Sequence, residues 1–317
     1  MLFRNIRVTL VFLLLAAPAL AQNVAYLRTS CTGVSPCFTT PEALSAWLFE
    51  GGRTAYPSYT DPVTVLIGTG VGEVFEGKIA CYDSGHVTFR GVGPTRPTIR
   101  GTNPDPIYDF TIYSSNCDEL AFENLIVEGA PNPTNGNGIA AYWYGDGDSR
   151  WVNVTLSANY AAWYDSSCSG EPTTAPPAGT HYVQDSTLIA GAIGWYGDCG
   201  EAVFYDSEIT VTGEGSFPIP GGGPGFGPLI AGLRVSYRGE FYLVDTRVTV
   251  DATTLATPVK AVGLAAGFGG NGMPTGSGEV EMFGGHLTVK GSPDDTVYGA
   301  YTRKFSEVDE PATVRIQ

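Results

Sequence analysis

Apolar residues along the chain fall into short runs that alternate with polar positions and are cut by Gly, Asn, Asp and Pro. Val63–Ile67, His86–Phe89, Phe110–Tyr113 and Leu120–Val127 have this form, and recurring short strands bounded by turn residues predict an all-β domain. No long stretch keeps a helical period. The one predicted helix is Thr40–Leu48. There Thr40 can cap, Pro41 suits the first turn, and Leu44, Trp47 and Leu48 share a face.

The β segments also repeat. An aromatic or apolar residue, then Asn or Asp, then two residues and Ile, Leu or Val recur in Phe122–Val127, Val152–Leu156, Val183–Leu188, Phe204–Ile209 and Leu243–Val248. A looser copy, Phe283–Leu287, closes the series. The shared Asn, Asp or Gly falls at positions 124, 153, 185, 206, 245 and 284, spaced 21 to 39 residues apart. A stacked coil must bend sharply between flat strands, and the left-handed backbone region that allows the bend is least costly for these three residue types. Stacking then places their side chains in register. The pattern predicts a single-stranded right-handed parallel β-helix, its first coil capped by the helix. Short β repeats alone leave a sandwich or propeller as the alternative. The longer spacings imply insertions at fixed corners, namely Asn132–Gly138, Ser169–Gly179 and Gly213–Pro228. The predicted layout is a leader over 1–21 and one domain over 22–317, with a capping segment at 22–60 and coils at 61–317. The last strand, Ala312–Ile316, has no evident cap, so another chain or a continuation is expected to cover its edge.

The leader comes from the N-terminus. Arg4 and Arg7 precede an apolar run, Val8–Ala17, and Ala19-Leu20-Ala21 follows Pro18, which is the layout of a secretory signal peptide cleaved after Ala21. The run is too short to cross ~30 Å of hydrocarbon. The mature protein is therefore expected outside the cytoplasm, extracellular or periplasmic, and free of the membrane. Six cysteines (Cys31, Cys37, Cys81, Cys117, Cys168 and Cys199) fit an oxidising compartment. Cys31 and Cys37 could close a small loop. The other pairings stay open, with free buried thiols as the alternative. The formal charge of −15 becomes −17 once Arg4 and Arg7 leave with the leader. Such a surface repels nucleic acid and anionic membranes, and disfavours a polyanionic glycan unless a cation bridges the two.

Three Trp-Tyr pairs carry the candidate chemistry: Trp143-Tyr144, Trp163-Tyr164 and Trp195-Tyr196. Each is followed closely by an aspartate, Asp146, Asp165 or Asp198. Neighbouring strand residues face opposite ways, so one aromatic of each pair should face outward, and coils ~4.8 Å apart would stack equivalent rings into a stripe. Rings beside carboxylates suit a neutral sugar chain, the rings covering C–H faces and the carboxylates accepting from hydroxyls. The plainer alternative makes the aromatics core filler and the aspartates turn residues. The same three aspartates could supply a glycosidase acid/base pair or chelate calcium. No cysteine or histidine set has zinc-ligand spacing. His86 and His286 follow Gly and precede a strand with a basic residue and Gly, which predicts a repeated coil corner. His181 carries no nucleophile signature beside it, and Asn153-Val154-Thr155 matches a glycosylation acceptor.

The stretch from Asn137 to Ile209 resembles the pectin methylesterases, members of the pectin-lyase-like β-helix superfamily. The residues that carry the likeness are Asn137–Ala141, Gly145-Asp146, Asn159–Asp165, His181–Gly191, Ala192–Gly197 and Glu201–Phe204. The first five parallel, in order, the family's Gln-containing strand, its Gly-Asp, its Gly-Tyr-Gln-Asp-Thr-Leu-Tyr and Tyr-Phe-Arg-Asp-Cys segments and its Val-Asp-Phe-Ile-Phe-Gly strand, and Glu201–Phe204 continues the likeness. The resemblance implies two catalytic aspartates, glutamines for the oxyanion and an arginine on the sugar acid. At those places stand Asn137, the Ala161-Ala162 pair and Ile193, and no Leu-Gly-Arg-Pro-Trp segment follows. Alanine and isoleucine can neither attack an ester nor move a proton. Matched to the esterase strands, the tryptophans face out. If Ile139 and Ile193 mark the interior, the tyrosines face out.

The expected protein is thus a secreted, carbohydrate-interacting β-helix on an esterase-like scaffold, leaning away from an enzyme, with a polysaccharide or surface glycan as partner. No cofactor is expected beyond the calcium option. The alternatives are an active hydrolase, lyase or esterase using Asp146, Asp165 or Asp198, and a structural or adhesive surface protein.

Overall fold

The computed structural model describes residues 23–49, 62–82, 85–102, 109–130, 138–165, 179–197, 200–213, 229–235, 239–266, 278–302 and 313–317. The expected leader lies outside them, as do Cys168, Cys199, Asp198 and nearly all of the three expected insertions.

Strands succeed one another around three parallel sheets, so that each strand pairs with its equivalents in the coils before and after. Sheet A has eleven strands, and sheets B and C have eight each. Sheet A opens with Cys37–Phe38 and then Asn23–Leu27, which pairs with Val63–Ile67, so the segment expected only to cap also contributes two strands. The helix is Pro41–Phe49, with Thr40 Oγ1 accepting from the Ala43 amide at 3.3 Å. It lies against the first strand of sheet C, where Ser45 Oγ meets the Ala80 amide and Glu42 accepts from the Lys78 amide at 2.7 Å. Leu44 and Leu48 are fully buried.

The segment Leu120–Val127 is two strands, Glu119–Glu123 in sheet A and Ile126–Glu128 in sheet B, because Asn124 turns the corner between them. From there to the C-terminal end, two residues connect each sheet A strand to the next sheet B strand, and the first is always the repeated polar residue or glycine. Their φ values are left-handed: 56° at Asn124, 53° at Asn153, 49° at Asp185, 46° at Asp206, 49° at Asp245 and 70° at Gly284. The column is bonded within itself where it is amide: Asn153 Nδ2 donates to Asn124 Oδ1, and Asn124 Nδ2 to the Gly91 carbonyl, both at 3.0 Å. The second corner residue turns inward. Ser186, Ser207 and Thr246 are buried, and each hydroxyl donates to the carbonyl two residues back. Both histidine motifs sit at corners, but His86 opens a sheet A strand and His286 a sheet B strand, so they mark two different corners.

The interior is a column of rings and branched aliphatics. Phe89, Phe122 and Trp151 stack along sheet A at 5.0 and 4.0 Å. Trp143, Trp163 and Trp195 stack along sheet C at 5.0 and 4.2 Å. All six are fully buried. Cys31–Cys37 closes the small loop that the sequence suggests, and Cys81 is bonded to Cys117 in the core between adjacent coils.

Candidate functional site

The outer face of sheet C is set by a kink. In the strands Gly138–Tyr144, Ala161–Asp165, Ile193–Gly197, Leu229–Val235 and Lys260–Ala266, the pairing register passes over one small residue per strand: Ala140, Ala162, Gly194, Gly232 and Gly263. These residues face inward toward sheet B, because a Cβ on Gly194 would lie 2.3 Å from Ile209 Cγ2 and one on Gly232 2.4 Å from Val248 Cγ1. The next residue (Trp163 or Trp195, for example) also points into the core. Two successive residues facing inward reverse the alternation, so positions before and after the kink both face outward.

Two outward columns result. The first runs Phe110, Ile139, Ala161, Ile193, Ala231, Val262 and Tyr298 in register. Val262 belongs to an apolar cluster apart from the core, with Leu229, Ala265, Tyr298 and Tyr301. The second column is a tyrosine ladder: Tyr113, Tyr142, Tyr164 and Tyr196, with ring centroids 5.7, 5.4 and 4.5 Å apart and nearly parallel planes. Both ends carry a cation. Lys78 Nζ lies 5.5 Å from the Tyr113 ring centroid and 3.6 Å from that of neighbouring Phe110, and the Arg234 guanidinium lies 5.0 Å from that of Tyr196. Such cations are held by the ring quadrupole.

Trp143, Trp163 and Trp195 therefore cannot form a surface platform. Each is fully buried, and the indole N–H groups of Trp163 and Trp195 have no hydrogen-bond partner among the described residues. The tyrosines face out; Ile139 and Ile193 share the outward side by register but are covered, at 2% and 0% exposure. Trp143-Tyr144 is also offset by two residues from the other pairs, since Tyr142 pairs with Tyr164 and Trp143 with Asp165. Tyr142 thus holds the ladder position. Tyr144 stands one column further out, 41% exposed, across Ser115 from Tyr82 at 42%. Tyr164 is half-buried and Tyr196 is buried at 6% exposure. Within the ladder the ring faces cover one another, whereas Tyr144 keeps its faces out of any stack among the described residues.

Of the candidate aspartates, the two among the described residues, Asp146 and Asp165, do not converge. Asp146 is exposed in the turn after Tyr144. Asp165 is inside the core at 1% exposure, its Oδ2 3.8 Å from His181 Nε2. His181 Nδ1 lies 2.8 Å from Ser149 Oγ, which also accepts from Trp151 Nε1 at 2.8 Å. Hydroxyl, imidazole and carboxylate lie in the order of a nucleophilic triad. Yet all three are at most 3% exposed, and Trp143 and Trp163 pack on the imidazole, so no substrate can reach them. They form a polar knot tying three strands. Among the described residues no group of three or more His, Cys, Asp or Glu is placed to hold a metal ion, and no helix is long and apolar enough to cross a membrane.

Three parallel sheets wound from one chain, a polar corner ladder and an outward face on the third sheet define a pectin-lyase-like right-handed parallel β-helix. Solved structures carry the same architecture. YbhC of Escherichia coli superposes with a TM-score of 0.56 at 13% identity, over 95% of this chain and 85% of that one. The pectin methylesterase PemA of Erwinia chrysanthemi gives 0.50 at 12% identity, over 93% of this chain and 94% of its own. No protein-family model matches the chain, and no curated protein matches it by sequence.

Proposed function

We propose that the protein is an exported glycan-binding β-helix that holds a sugar chain along the outer face of sheet C and does not cleave or de-esterify it. The observation that carries this reading is the exposed pair Tyr82 and Tyr144 beside the tyrosine ladder. Tyr144 can cover the C–H face of a pyranose, while its phenol hydroxyl donates to and accepts from the sugar's hydroxyl groups. The ladder advances one coil, ~4.8 Å, per ring, so a linear glycan laid along the axis would meet a similar environment at each step.

Support for a binding role over an esterase role comes from the first outward column. The resemblance to pectin methylesterases puts catalytic groups at Ala161 and Ile193, and these two are direct neighbours on that column. Neither side chain has a lone pair or proton to use. The Cys31–Cys37 and Cys81–Cys117 bonds support export to an oxidising compartment.

The test is a glycan array probed with purified mature protein and with the double variant Tyr82→Ala/Tyr144→Ala, alongside an assay of methanol release from methylated pectin. Binding to a defined glycan that the folded double variant loses, with no methanol released, is the expected result. Methanol release would restore the esterase reading. Absence of binding to any glycan would leave a structural β-helix as the better account.

A further inference from the structure

Sheet A presents a second outward aromatic group. Along Thr180–Gln184, Glu201–Tyr205 and Glu240–Val244, the outward residue Val203 pairs with Tyr182 on one side and Tyr242 on the other. On its own strand it is flanked by Glu201 and Tyr205, two residues away on the same face. Val203 is therefore the floor of a shallow square with tyrosines on three sides and a carboxylate on the fourth. Tyr182 and Tyr242 are two strand spacings apart, ~9.6 Å, so a group centred over Val203 would lie ~5 Å from each, inside the ~6 Å reach of cation–π attraction. Tyr182 and Tyr205 already approach to 5.3 Å with tilted planes.

The Tyr82–Ser115–Tyr144 arrangement on sheet C has the same spacing but opposite surroundings. There the nearby stack is capped by Lys78 and Arg234. Here Glu240 Oε2 accepts from the Tyr242 hydroxyl at 3.1 Å, and the Glu201 carboxylate has no hydrogen bond or ion pair among the described residues. The next carboxylates along the sheet, Glu279 and Glu281, are both paired with Arg315. The local potential is negative enough to register on the phenol. Burial, then the Glu240 hydrogen bond and the charges of Glu240, Glu201 and Glu279, push Tyr242 up to about 12.

We infer that this square is a binding site for a compact alkylammonium group, seated over Val203 between Tyr182, Tyr205 and Tyr242 and neutralised by Glu201 and Glu240. Rings and carboxylates act together here: the rings strip water from the cation at little cost, and the carboxylates balance its charge. A neutral group of the same shape would gain only the contact area. An anion would be repelled.

The experiment is ligand-observed NMR titration of the whole mature protein with tetramethylammonium, and separately with neopentyl alcohol, an uncharged, water-soluble compound of similar shape with a quaternary carbon in place of the nitrogen. Saturable binding of tetramethylammonium and at least about tenfold weaker binding of neopentyl alcohol are expected. Glu201→Gln and Tyr205→Ala should each weaken tetramethylammonium about fivefold or more, Tyr205→Phe should keep it, and Tyr144→Ala on sheet C should leave it unchanged. Should Tyr205→Ala fail to fold, Glu201→Gln, a change to a partly exposed side chain, still decides the matter. Equal affinity for the charged and neutral probes overturns the inference, as does undiminished binding in folded Glu201→Gln.

Discussion

Replacing Trp163 by alanine should be far more damaging than replacing Tyr144, although both belong to the same sequence motif. Trp163 is fully buried, stacked between Trp143 and Trp195 at 5.0 and 4.2 Å, with Trp151 edge-on at 5.2 Å. A buried tryptophan cut to alanine costs about 3–5 kcal/mol, because transfer energy is lost and the rigid stack cannot close the cavity. Its ring partners add to this, at about 0.5–1.5 kcal/mol for each well-formed aromatic pair. Trp163→Phe should lose much less, since it keeps a ring in the stack and removes an indole N–H that has no partner among the described residues. Tyr144→Ala, at an exposed position with no ring stacked on it among the described residues, should stay within about 0.5 kcal/mol of the parent. Urea unfolding followed by far-UV circular dichroism gives the midpoints, and parallel slopes make them comparable. Glycan binding should follow the reverse order, lost in Tyr144→Ala and retained in Trp163→Phe. A Trp163→Ala midpoint equal to that of the parent would refute the inward stack and, with it, the kink that sets the outer face.

Three further outcomes follow from the same geometry. Gly194→Ala should cost about 1–3 kcal/mol by overpacking, because its Cβ would meet Ile209 Cγ2 at 2.3 Å and the Gly232 carbonyl oxygen at 2.5 Å; an unchanged melting midpoint would count against the kink. Reduction of Cys81–Cys117, which closes a loop with a sequence separation of 36, should lower stability by about 4 kcal/mol in the chain-entropy treatment, and a Cys81→Ala/Cys117→Ala variant measured beside it checks the figure. Burial alone would raise the Glu123 pKa, but the hydrogen bonds and charges of Arg90 and then Arg150 bring it below the ordinary value of 4.5. A carboxylate so depressed stabilises the fold above pH 4.5, and that contribution fades as acid carries the pH down through the lowered value. Glu123→Gln should flatten this part of the stability profile below pH 4.5, and an unaltered acid limb would contradict the assignment.

Much of the architecture is legible in the residues because its cause is local. A left-handed corner penalises every residue type except a few, so Asn124, Asn153, Asp185, Asp206, Asp245 and Gly284 mark the corners whatever packs around them. Helix Pro41–Phe49 is legible for the same reason, since Thr40 and Pro41 act on their own first turn. The candidate site is only half legible. That an aromatic stripe exists follows from three Trp-Tyr pairs on successive coils, but its composition does not.

Alternation along a strand holds only while the backbone is regular, and one inward residue at Ala140, Ala162 or Gly194 reverses it for everything that follows. A small residue in a strand looks the same in the sequence whether it sits in a kink or in a regular ladder. The choice is made across the interior, where Ile209 and Val248 of sheet B leave room for nothing larger. Register has the same character: Tyr142, not Tyr144, joins the ladder because its strand pairs two residues out of step with the repeated motif. Asp165, His181 and Ser149 meet only because three strands from successive coils put them in one layer of the core. The sequence by itself determined where this chain turns. Which side chains meet the solvent was decided by how the turned coils stack, because facing depends on contacts between residues that the chain keeps far apart.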